Sequence, residues 1–120
     1  MPGELLDTGL VTLGPAVGTI PRWRCIDLNA SGQAALAAIS VAGIGVSLDS
    51  YTVGQPVAIL IHGNGVVRVE CGAGAIAVGG QVGIDASGRA IPWTTGAVLG
   101  RAMRASAAAG TIIEVITGVN

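Results

Sequence analysis

Residues 28–36 read LNASGQAAL and residues 84–92 read IDASGRAIP, so one short pattern occurs twice at an offset of 56. Ala30/Ala86, Ser31/Ser87, Gly32/Gly88 and Ala34/Ala90 are identical, and Asn29/Asp85 is conservative. In an Asx-x-Ser-Gly turn the Asx side chain accepts a bond from the backbone two residues on, and glycine takes the positive φ. The correspondence runs outward. Ile26 aligns with Val82, and Val57 and Ile59 align with Ile113 and Val115. GIGVSLDS (43–50) parallels LGRAMRAS (99–106) with small slips, and Gly54 and Gly110 again stand 56 apart. The chain therefore reads as two copies of one unit, 25–63 and 81–118, joined by a hairpin-like connector. Gly32, Gly54, Gly88 and Gly110 are its structural turn residues. Two copies at so long a period do not make a solenoid.

Within each copy the hydrophobic period is two. Val67, Val69 and Cys71 share one strand face while Arg68 and Glu70 take the other. VAILIH (57–62) and TIIEVIT (111–117) are apolar on both faces, as strands covered on both sides are. QAALAA (33–38) and GRAMRASAA (100–108) have some helical character, but the duplication argues for strand followed by turn in both. Short strands divided by turns every 8–12 residues predict an all-β barrel or sandwich.

Composition narrows the function. The 120 residues include 20 glycines and only 13 charged side chains, with six arginines, no lysine and a net charge of −1. Disorder is excluded by the apolar content, and no basic patch offers itself to nucleic acid. Leu28–Leu48 is uncharged and long enough for a membrane span, but its Asn, Gln, Ser and Gly content argues against one. No Lys or Arg precedes Arg22, so a secretory signal is not expected. The mean hydropathy of +0.71 exceeds what a small monomer needs, which points to self-association. Cys25 and Cys71 are expected to be free thiols, made in a reducing cytosol.

Catalytic templates lack their parts. A phosphate loop needs the missing lysine, zinc needs more ligands than two Cys and one His provide, and a Ser–His–Asp site must use His62. We expect no enzyme, no cofactor and no metal; a small hydrolase using His62 is the enzymatic alternative.

Residues 1–24 carry Pro2, Pro15 and Pro21 and match neither copy, so they read as an extended arm before a single β domain at 25–120. Leu5, Leu6, Leu10, Val11, Leu13, Val17 and Ile20 are too apolar for a solvated tail, and Trp23 is placed to anchor the arm to the body or a partner. An extended apolar segment binds by adding its backbone to a partner's sheet edge.

The Asx-Ala-Ser-Gly turn, GIGVSLDSYTVGQPVAILIHGNGVVRVECGAG, IAVGGQVGIDASGRA and GAVLGRAMRASAAAGTIIEVITG together resemble the capsid decoration, or cement, proteins of tailed bacteriophages. The resemblance covers roughly residues 25–118. It implies a small, tulip-shaped β-barrel-like fold and a homotrimer on the outer capsid surface of the virion. It implies the major capsid protein as partner, with the arm clamping neighbouring capsomers. Another virion or tail-associated β protein is the alternative.

Overall fold

The two Asx turns fold alike. Asn29 Oδ1 accepts from the backbone N–H groups of Ser31 and Gln33, both at 2.9 Å. Asp85 Oδ1 accepts from those of Ser87 and Arg89 at 2.8 and 2.9 Å. Gly32 and Gly88 follow at φ 76° and 75°, where a side chain is strained. Even the flanking side chains pair in both copies: Asn29 Nδ2 donates to Gln33 Oε1, and Arg89 Nε donates to Asp85 Oδ2.

These turns sit in a computed structural model that describes residues 10–38, 41–63 and 65–119. It contains ten strands: β1 (Leu10–Pro15), β2 (Cys25–Leu28), β3 (Ala34–Leu36), β4 (Gly45–Ser47), β5 (Pro56–Ile61), β6 (Val66–Glu70), β7 (Gln81–Ile84), β8 (Ala90–Pro92), β9 (Gly100–Ala102) and β10 (Ile112–Thr117). Two antiparallel sheets result, ordered β1-β5-β4-β2-β3 and β6-β10-β9-β7-β8. The second order is the first with five added to every label. The all-β expectation holds, and no helix occurs among the described residues; QAALAA contributes β3 and GRAMRASAA begins with β9. Among the described residues no helix is long and apolar enough to cross a membrane, and the described part of the uncharged 28–48 stretch lies in the turns and strands of the first sheet.

Neither sheet closes into a barrel. Each curls until its edges meet at a single parallel bridge, Ala16 with Ala34 in the first and Cys71 with Ala90 in the second. The concave faces carry the cores. Ile26, Val57 and Ile59 fill the first with Ala16, Ile20 and Ala34, and Val67, Val69, Val82, Ile113 and Val115 fill the second. Burying each such Val or Ile side chain stabilises by about 1.5–3 kcal/mol.

Close packing of backbone on backbone explains two glycines. A Cβ on Gly45 would stand 2.5 Å from the Leu60 carbonyl oxygen, and one on Gly100 would overlap that of Ile116. These two glycines are equivalent by register, each pairing with the strand that ends its own unit, yet they are 55 residues apart. One residue has been lost or gained between β3 and β4 relative to β8 and β9.

The stretch 10–24, expected as an extended arm before the β domain, contributes a strand to the first sheet. β1 pairs with β5 from Leu10↔Leu60 to Pro15↔Pro56, and Ile20 exchanges backbone hydrogen bonds with Tyr51 at 2.9 and 2.8 Å. The repeat therefore begins at β1 and β6, and the expected connector supplies the first strand of the second sheet. The reason is physical: β1 carries the aliphatic side chains that close the first concave core.

Candidate functional site: the junction between the units

His62 Nε2 lies 2.8 Å from the Ala42 carbonyl oxygen. A carbonyl cannot donate, so Nε2 carries the proton and Nδ1 is left buried without a hydrogen-bond partner. Burial lowers the His62 pKa from its ordinary value, opposed by the Ala42 bond. Cys25 and Cys71 are free and buried, and burial pushes both thiols up, away from the reactive thiolate. No group of three or more His, Cys, Asp or Glu that could hold a metal occurs among the described residues.

The groups that do converge lie where one unit meets the other. Cys25, Ala37 and Val46 belong to the first unit but are buried with the second unit's core, and Trp23, Ala42 and Leu60 pack against the same cluster. Residues 23–25 make four hydrogen bonds across the junction. The Cys25 N–H donates to the Gly88 carbonyl and the Glu70 N–H to the Trp23 carbonyl, each at 2.8 Å. Arg24 Nη1 donates to the Ser87 carbonyl and Nη2 to Glu70 Oε2, both at 3.2 Å. The guanidinium is largely withdrawn from water, so this ion pair is poorly screened, although Arg24 Nε has no partner there. Gly88 fits because a Cβ would come within 2.7 Å of the Cys25 carbonyl oxygen.

Trp23 holds the junction in an unusual way. Its φ is 63°, positive as for no other non-glycine among the described residues. Its N–H donates to the Ser47 carbonyl at 3.0 Å, and Arg22 stacks over its ring at 4.4 Å from the centroid.

The residues expected to bind a partner are thus dispersed. Leu5 and Leu6 lie outside the described residues. Val11 and Leu13 are half-buried against the first core and Ile20 is within it, whereas Leu10 and Val17 are exposed. Trp23 anchors the body of the chain. Gly32, Gly54, Gly88 and Gly110 all take positive φ in turns. Sequence reasoning missed Arg24, Cys25 and Val46 as junction residues; the Arg-Trp-Arg cluster at 22–24 was the available signal.

Residues 22–117 match the sequence pattern of a family described as phage cement protein. The chain belongs to that family. The match takes in the junction and β2 to β10 but not β1, and it makes this cement protein a structural protein of phage virions. It is also similar in fold to a crystal structure of the head fiber gp8.5 N base in bacteriophage phi29. That likeness has a TM-score of 0.76 and 17% identity, over 91% of this chain and 94% of the other. No curated protein matches the cement chain at a significant level.

Proposed function

We propose that this cement protein binds the outer surface of a phage capsid and stabilises it by bridging neighbouring major capsid proteins, as a homotrimer and without catalysis. The observation that carries this reading is the family match across residues 22–117. Synthesis in the host cytoplasm fits the free, buried Cys25 and Cys71.

The capsid contact is assigned to the stretch that precedes β1, with Leu5 and Leu6, and to the exposed Leu10 and Val17 beside it. Leu10 is 49% and Val17 44% exposed, so both keep apolar surface available to a partner. Removing residues 1–24 would also strip β1, Ile20 and Trp23 from the fold, so the informative truncation stops at residue 9. Purified chain is to be co-sedimented with capsids that lack it. The full chain is expected to pellet with capsids and raise their melting temperature, and the chain without residues 1–9 to remain folded but bind far less. Equal binding by the truncated chain would overturn the arm assignment. No binding by the full chain would overturn the capsid reading.

A further inference from the structure

Cross-strand partners share a sheet face, so the registers define two equivalent outer rows. In the first sheet the row is Leu10–Leu60–Val46–Cys25, across β1, β5, β4 and β2. In the second it is Val66–Ile116–Arg101–Gln81, across β6, β10, β9 and β7. Their fates differ. Val46 and Cys25 are 1% and 0% exposed because the second unit covers them. Ile116 and Val66 are 38% and 44% exposed, and Arg101 and Gln81 are exposed as well.

The junction inside the chain is head-to-tail, since the two units contribute different parts. The first gives its outer row and Trp23; the second gives Glu70 and the Ser87–Gly88 turn. Such a contact leaves one copy of each part unused. The second unit's outer row takes no part in that junction, and neither does the first unit's Asn29–Gln33 turn, whose Ser31 and Gly32 are exposed where Ser87 is half-buried and Gly88 buried. A Cβ at Gly32 meets nothing within 4 Å, whereas the one at Gly88 meets the Cys25 backbone.

We infer that the second unit's outer row is a docking surface for a second copy of this chain, which inserts its Asn29–Gln33 turn there as the Asp85–Arg89 turn docks within the chain. The inference rests on the reading that the protein self-associates, and it names the face. Gln81 and Arg101 in place of Cys25 and Val46 suit an interface between separately folded chains, which carries more polar groups than a core and is enriched in Arg. Turn and row lie on different units, so the contact is heterologous: it propagates from chain to chain and closes into a ring when the rotation allows.

The test uses the full chain with Ile116→Asp in the row and Ser31→Arg in the turn, the second opposing Arg101 in charge and bulk. Gln81→Arg replaces Ile116→Asp should circular dichroism show that variant unfolded. Val53→Glu, at a turn residue 68% exposed and outside the junction, is the control. Native mass spectrometry is expected to give an oligomer for the wild type and control, and 11.7 kDa for each single variant. Mixing the two variants is expected to give twice that mass and nothing larger, since each retains one intact half. Variants that keep the wild-type mass would overturn the face while leaving self-association standing, and a mixture that stays monomeric would overturn the head-to-tail contact. A monomeric wild type would overturn both this inference and the self-association it rests on, with capsid binding still tested separately by co-sedimentation.

Discussion

Trp23 and Gly79 occupy the same turn of the two units, 56 residues apart, and share a left-handed backbone with φ of 63° and 77°. At Gly79 a Cβ would meet nothing within 4 Å, and the carbonyl accepts from Arg101 Nη1 of its own unit at 2.8 Å. At Trp23 the same turn abuts the other unit and its carbonyl accepts the Glu70 N–H. The tryptophan is kept against its backbone preference because its ring packs on the shared core.

Replacing Trp23 separates the two effects. Trp23→Ala loses the ring and keeps the strain, while Trp23→Gly loses the ring and relieves it. Both are expected to be less stable than the wild type, with the glycine variant above the alanine variant by about 1 kcal/mol. Urea denaturation of the three proteins measures the order; alanine ranking above glycine contradicts the strain.

Glycines divide by what surrounds them. Gly45→Ala and Gly100→Ala force a methyl onto a carbonyl oxygen of the adjacent strand, and each is expected to cost ~3 kcal/mol or more, as strained overpacking does at its upper end. Gly54→Ala and Gly110→Ala meet open space and carry only the positive-φ penalty, about 1 kcal/mol. Soluble yield and thermal melts check the contrast. Equal losses at all four would remove the distinction.

The Asx turns predict a pairwise outcome. Asn29→Ala and Asp85→Ala each remove an oxygen that two backbone N–H groups use, with an expected loss of ~1–2 kcal/mol. Asp85→Asn keeps the acceptor and gives up only the half-buried ion pair with Arg89, so its loss is expected to stay below ~1 kcal/mol. Chemical denaturation distinguishes them.

His62 gives a pH dependence. Its folded-state pKa is lowered, so below about pH 6.5 the unfolded chain takes up a proton that the folded chain resists. Stability is complete above the unfolded value and falls with pH toward the folded one, with a slope no greater than about 1.4 kcal/mol per pH unit. His62→Gln is expected to shrink the fall in melting temperature between pH 7.5 and 5.5. An unchanged fall would assign it to other groups.

The repeat was legible where turn chemistry constrains residue identity. Asx and Ser-Gly positions recur because a hydrogen bond and a positive φ demand them, and the alternation Val67-Arg68-Val69 appears unchanged in β6. β1 was not legible as its partner. LVTLGP and VVRVEC share only a buried-exposed rhythm, and Pro15, beside a register irregularity, looks like a break. Pro/Gly-rich composition and the lack of a match to either copy suggested an extended arm before the β domain, whereas the pairing of β1 depends on β5, more than forty residues away. The junction was hidden for a related reason: Cys25 and Val46 read as ordinary strand residues, and only the packing of one unit on the other distinguishes them from Gln81 and Arg101.

Between β5 and β6 the chain runs only from His62 to Gly65, and Thr117 Oγ1 ties that link by accepting from the Gly63 N–H and donating to the Gly65 carbonyl. So short a tether fixes the local concentration of one unit at the other far above any that free fragments reach in solution. The in-chain junction can therefore form from a few contacts without a search, and every diffusional encounter with a partner delivers two β units already in register.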